Sequence, residues 1–393
     1  MSAFAPVCAR HIASLAAIAS NDWNRLFPGR AEDWGYLRAC ELAGPRGFAT
    51  SAIAAYAGDE LVAAAPLFRT EFRLDMTLEG PLRRPVAWIH RKAPKLVAVP
   101  LLGIGSPLTE ECPLGFAPGM PAAERTESFG VLLAGLDRHA AAENVPLIAL
   151  KDIVHRDNLW AAAPLAAAGF TAIPTLPVAT LHLPFASVEA YLASLSANMR
   201  SSLKKKMKHA ANIDIEFRRS IDGIESEVTA LFHETHAHRK SDYGAFDDVP
   251  PAYFREVLDS ASGNARVMLC RIGGELVSFN IHLIERDRVI GKYIGMRYAA
   301  AREHNLYFVN WMAMVRLCIE RGIPWLQTGH TAYWQKARFG CQLKRSWIYC
   351  RYRNAAINPL FNLFGPRMAF DKTDPDLRAL GADARYLDAD AAP

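Results

Sequence analysis

The segment His304–Arg321 is apolar on nearly every face of the helix it forms: Leu306, Val309, Trp311, Met314, Val315 and Cys318 recur with Tyr307, Phe308, Met312 and Ile319 between them. A helix with no polar side has to be covered all round, which demands a sheet beneath it. Gly322 ends it and Pro324 blocks its continuation, so a strand at 324–328 follows directly. Strand-like runs at 265–271, 276–284 and 288–295 precede it, giving an α/β class with mixed α+β order. No run approaches the roughly 18 apolar residues of a membrane span. The nearest, Leu96–Leu108, is broken by prolines and glycines. With 51% hydrophobic and 22% charged residues, the chain is neither disordered nor fibrous.

At 393 residues the length suggests two domains. In the first, 10–43 reads as helices and Gly44-Pro45 stops them. Ser51–Phe68 reads as a hairpin around Gly58-Asp59, Ser128–Glu143 as a helix and Leu147–Leu150 as a strand. A helix at 159–168 closes at Gly169, and the strand Val178–Leu183 ends the half. In the second, helices at 187–196 and 198–211, a strand at 214–218, and helices at 224–238 and 251–260 around a loop at 242–249 lead into the strands already named. A final strand at 346–352 completes it. The halves share element order without a residue-level repeat, giving domains of 1–180 and 181–354 and a tail of 355–393. The tail's patch Ile357–Phe370 is expected to pack on the body, with a binding partner or a membrane surface as the other options.

Seven cysteines with no CxxC fit reduced thiols in a cytoplasmic protein better than a disulfide framework. The net charge of +5 is mild but unevenly placed. Between Glu189 and Asp214 there is no acid, while Arg200, Lys204, Lys205, Lys206 and Lys208 share a helix with an apolar stripe through Met199, Leu203 and Met207. Such a face suits a polyanion: a cofactor phosphate, tRNA or anionic lipid. The plainer reading is a solvated charged helix.

On the strand 276–284, Val277, Phe279, Ile281 and Leu283 share one face and Ser278, Asn280 and His282 the other, a pattern that suits a polar cleft or a half-solvated strand. Gly291-Lys292-Tyr293-Ile294-Gly295 follows, then a loop with Arg297 and Arg302 at a helix start, a natural anion site. After the buried helix, residues 327–340 read as a loop carrying His330, Tyr333, Lys336 and Arg338, where α/β sheets place ligand contacts. His233 and His236 are three apart rather than four, so the HETHAH run is not a zincin and no metal is expected. There is no Walker sequence and no GxGxxG.

The order GKYIG, buried helix, Gly322-Ile323-Pro324, strand, Gly329, Lys336 and Gly340 resembles the GNAT-fold acyltransferases of the Fem-like group. The basic stretch Leu195–Lys208 and the run Leu165–Phe170 resemble that group as well. The likeness spans roughly 160–350. It implies tandem GNAT-like domains, the first degenerate, each a mixed, mainly antiparallel sheet flanked by helices. It also implies an N-acyltransferase moving an acyl or aminoacyl group from acyl-CoA, acyl carrier protein or aminoacyl-tRNA to an amine. That amine belongs to a small molecule or a cell-envelope precursor. In that frame the strands 276–284 and 288–295 are the splayed pair and 297–305 the phosphate loop, although Arg297–Arg302 reads RYAAAR without the usual glycine pattern. His282 and His330 are the first candidate bases, since an imidazole titrates near neutrality, with Glu234 a third, and Tyr293 or Tyr333 the proton donor. Arg200, Lys204, Lys205, Arg297 and Arg302 would hold the donor; Asn280, Lys292, Tyr333 and Lys336 would hold substrate. The competing class is a non-catalytic module that binds RNA or anionic lipid through the basic helix 199–211.

Overall fold

The computed structural model describes residues 6–73, 98–208, 212–238, 249–260, 263–365, 370–372 and 374–387. The end of the basic helix at 209–211 and most of the 242–249 loop lie outside them. One sheet takes β1 (Val7–Ile12), β2 (Phe48–Ala57), β3 (Glu60–Arg73), β4 (Ala98–Ile104), β5 (Gly115–Phe116), β6 (Leu147–Val154) and β7 (Thr171–Pro174). A second takes β8 (Val178–His182), β9 (Asp214–Arg218), β10 (Ala265–Ile272), β11 (Glu275–Ile284), β12 (Arg288–Met296), β13 (Trp325–Gln327) and β14 (Gln342–Lys344). The last strand, β15 (Ser346–Tyr352), returns to the first sheet between β6 and β7.

Each sheet is antiparallel except for one parallel pair, β4 with β6 and β12 with β13. Parallel neighbours need a crossover. The first pair is bridged by the helix Ala122–Ala142 and the second by the helix Leu306–Glu320. The shared plan that element order suggested is therefore present as a repeated sheet-and-crossover unit.

Several expectations shift. Strand β8 does not close the first half: it sits between β13 and β14. Strand β15, expected in the second half, completes the first sheet. Alternation announces a strand but not its partner, and both are short, buried runs that either sheet could accept. Arg10–Ile12 is strand rather than helix. The buried helix begins at Leu306, after a short helix Tyr298–Glu303 and Asn305 at φ +54°. The 327–340 stretch contains a helix, Tyr333–Arg338.

Helix Ala122–Ala142 covers one face of the first sheet, seating Phe129, Leu132 and Leu136 on Ile53, Ile104 and Ile148. In the second sheet the buried helix shares one face with Val188–Ser194 and the basic helix Ala197–Lys208. The opposite face carries Glu225–Ala237 and Pro251–Ser260, against which the first half's helix Trp34–Ala43 packs. Here Tyr36 donates to the Leu108 carbonyl (2.6 Å), so its hydroxyl accepts from Tyr253 (2.9 Å). Gly35 lies so close to the Ser260 carbonyl that an added Cβ would collide with backbone. Gly35→Ala is expected to cost about 1–3 kcal/mol, read as a lower urea midpoint at unchanged m.

Candidate functional site

The two parallel pairs build the site. β4 and β6 stay paired from Leu101 opposite Leu147 to Ile104 opposite Leu150 and then part. β12 and β13 do the same from Arg288 opposite Trp325 to Ile290 opposite Gln327. A crevice opens where parallel strands diverge at their carboxyl ends. Both crevices feed one cavity of about 390 Å³, bounded by Pro107–Glu110, Lys151 and Asp152 from one pair and by Gly291–Ile294 and Thr328–Ala332 from the other. The expected splay between β11 and β12 is absent. Those strands pair from Ser278 opposite Met296 to Ile284 opposite Val289, with Lys292 as the extra residue of a bulge. Antiparallel neighbours joined by a tight turn have no reason to separate, whereas β13 contributes only three residues.

His330 lines this cavity. Its Nδ1 lies 3.3 Å from the Pro177 carbonyl oxygen, which only accepts, so Nδ1 carries the proton and Nε2 keeps its lone pair. Burial lowers its pKa most, with Lys151 and Lys336 acting in the same direction and Asp152 and Glu110 opposing them. The ring is therefore neutral near pH 7. Tyr333 donates to the same Pro177 carbonyl (2.8 Å) and is fully buried, so it positions the loop rather than touching substrate.

The backbone around His330 is held under constraint. Asp152, Thr331 and Ala332 have φ of +58°, +70° and +51°, in a region non-glycine residues rarely adopt, and all three line the cavity. Gly329, at φ +69°, lies against Glu110: a Cβ would sit 2.6 Å from its Oε1, so a side chain here would strain the backbone and displace the carboxylate. Lys336, expected on a phosphate or carboxylate, instead gives its protons to the carbonyls of Thr328 (2.6 Å), Gly329 (2.9 Å) and His330 (3.1 Å). Burial brings its pKa down to about 8. Lys336→Met would leave three carbonyls without their donor. The expected outcome is a drop in kcat with a lower Tm, whereas loss of a substrate contact alone would raise KM at constant Tm.

The remaining sequence candidates divide. Asn280, Lys292 and Tyr293 line the cavity. Lys292 pairs with Glu32 and donates to the Leu108 carbonyl (3.2 Å), tying the halves together. His282 lies outside the cavity lining: fully buried, edge-on to Phe217, with burial pushing its pKa down to about 3, it is a neutral core histidine. Glu234 accepts the Tyr298 amide (2.6 Å), filling the start of the helix Tyr298–Glu303 where a phosphate was expected. Arg297 pairs with Glu275, and Arg302 lies over the Tyr298 ring at 4.9 Å. Arg200 donates to the Ala193 carbonyl (3.0 Å), and Lys204 and Lys205 are exposed. Met199 and Leu203 anchor their helix, and Lys206 lies 3.2 Å above the Phe308 ring of the buried helix. Among the described residues no group of His, Cys, Asp or Glu is placed to hold a metal ion, and no helix is long and apolar enough to cross a membrane.

Three charged residues of the cavity lining escaped the sequence reading: Glu110, Lys151 and Asp152, all from the first half. Lys151-Asp152 directly follows the apolar run Leu147–Leu150, the same strand-end position that drew attention to 328–336. Lys151 pairs with Asp152 and donates to the Thr109 carbonyl (2.8 Å). Glu110 accepts from Gln327 Nε2 (2.7 Å), and Gln327 Oε1 accepts from Arg288 (2.7 Å). Arg288 also bonds Glu111 (3.0 Å) and Glu285 (2.8 Å), and Glu285 takes the Ala31 amide (2.8 Å). Burial works to raise the Glu111 pKa, but Arg288 and Lys344 hold it at about 2.

Residues 197–336 match an acetyltransferase (GNAT) domain family. No curated protein matches the sequence. FemX has the same fold at 14% identity and TM-score 0.55, covering 83% of this chain and 92% of that one. A tandem GNAT protein from the clavulanic acid biosynthesis pathway aligns at 12% identity and TM-score 0.50, over 88% and 98%. A C-terminal DUF2156 domain from Agrobacterium fabrum, described as that of a lysylphosphatidylglycerol synthetase, aligns at 14% and 0.52, over 89% and 96%. These likenesses establish the fold, two GNAT units in tandem.

Proposed function

We propose that this GNAT-fold acyltransferase moves an acyl or aminoacyl group onto an amine inside the cavity between its halves, with His330 as the base. The carrying observation is the fixed tautomer: a neutral imidazole whose free Nε2 shares a cavity with two carboxylates, Glu110 and Asp152. Those carboxylates draw in the acceptor as an ammonium ion. Nε2 takes one of its protons, and the freed amine attacks the donor carbonyl carbon. Beyond Ile290 the backbone of Gly291–Ile294 has lost β13 as a partner and faces the cavity, the source we assign for polarising the carbonyl oxygen. As the tetrahedral species collapses, the bond to the leaving group breaks; that group takes its proton from Tyr293, the candidate donor, whose phenolate recovers one from the attacking nitrogen. Asn280 and Lys292 complete the polar wall.

An acyl-CoA, an acyl carrier protein thioester and an aminoacyl-tRNA all carry phosphate. Asn305 gives no side-chain cap to the helix Leu306–Glu320, and the basic helix packs beside it, which supports docking of the anionic part there. Transfer assays with each donor and a panel of amines test the reading, and absence of product from all of them overturns it. Lys204→Glu with Lys205→Glu is expected to raise the donor KM at least tenfold at low salt and flatten its salt dependence, with kcat little changed.

A further inference from the structure

We propose that the arm of this cavity walled by the first sheet holds a linear alkyl chain belonging to one of the two substrates. Its location rests on the transfer reading; its chemistry does not. The helix Ala122–Ala142 already covers one face of the sheet, so the other is expected to alternate toward polar side chains if water covers it. Instead Phe68, Leu101, Leu147, Ile173 and Ile348 form that face, with Phe361 of the helix Asn358–Phe364 against them. Of the hydroxyls there, Thr70 spends its proton on the Gly47 carbonyl.

This apolar wall is continuous with the polar end at Lys151, Asp152, Glu110 and His330. A cavity greasy along one arm and charged at its waist fits an amphipathic molecule, with the reacting group at His330 and the chain laid along β3, β4, β6 and β15. A small acyl group and a small polar amine would leave that arm filled only with water, against a wall offering it few hydrogen bonds. The chain belongs either to the acyl donor or to the amine.

Calorimetric titration with hexylamine, decylamine, hexanoate and decanoate tests the arm without requiring turnover. Affinity is expected to rise about three- to fourfold per methylene for at least one series. Ile348 is half-buried on the wall, so Ile348→Trp should fill the arm and weaken decyl binding at least tenfold. Leu363→Ser, on the exposed side of the neighbouring helix, should change nothing. Phe72→Ala, which widens the arm, should move the preferred chain upward and covers the case in which the tryptophan variant fails to fold. Chain-length series in the transfer assay, varied on the donor and then on the amine, assign the chain to one substrate. Affinity independent of length, or unchanged by both variants at the wall, overturns the proposal. Length-dependent binding without transfer to any amine overturns the acyltransfer reading and leaves this one standing.

Discussion

Exchange of His330 for glutamine is expected to lower kcat by about 10²–10⁴-fold, with KM for both substrates within a few fold of the native values. Glutamine keeps a donor for the Pro177 carbonyl, so the loop stays in place and only the free lone pair is lost. The pH profile makes the result specific. The wild-type rate is full above the histidine's pKa, which burial sets below the ordinary 6.5, and falls as pH drops through that lowered value. The variant's residual rate should lack this acid limb. A variant with native kcat, or one keeping the limb, would remove His330 from the chemistry. His282→Gln should leave the acid limb in place, because its ring lies outside the cavity lining and is already neutral.

Arg288→Met is the second large effect, here on stability. It strips Glu111 and Glu285 of their shared cation in a buried setting, and breaking such a group typically costs about 3–5 kcal/mol. Urea denaturation at pH 7 measures it, and a loss below 1 kcal/mol would show the network to be dispensable. The same network sets the acid response. Glu111 titrates at about 2 when folded against an ordinary 4.5, so its contribution is complete above 4.5 and is lost as pH falls toward 2. Glu111→Gln should be less stable than wild type at pH 7 and lose less over that acid interval. Because Gln327 hands its amide proton to Glu110, Arg288→Met is also expected to disturb the carboxylate at Gly329 and depress turnover.

What could be read beforehand followed from local rules. A helix apolar all round, a glycine after it and a proline beyond it describe a covered helix feeding a strand, and the crossover Leu306–Glu320 is that element. The alternation on 276–284 likewise gave β11, and Asn280 does face the cavity. His282, two residues on, obeys the same alternation but lies outside the cavity lining, fully buried with its ring edge-on to Phe217 of β9. Lys336 was legible as important but not for what it does, since three backbone carbonyls leave no mark on composition. Glu110 and Asp152 were missed for a different reason. Their meaning depends on β4 and β6 parting beside the second half's diverging pair, a juxtaposition across some 140 to 220 positions that no local pattern carries.

The exchanged strands carry a consequence for how the chain is made. Among the described residues, β7 pairs with β15 alone, and β8 pairs with β13 and β14 alone. During synthesis from the N-terminus, both wait exposed while about 150 further residues emerge, with Leu181 and Ile173 uncovered. Neither half can complete its sheet on the ribosome before the other exists, so the last pairings of both sheets are non-local and late. Expression of residues 1–180 alone should therefore give an aggregating fragment, and addition of the remainder of the chain in trans should return it to solution.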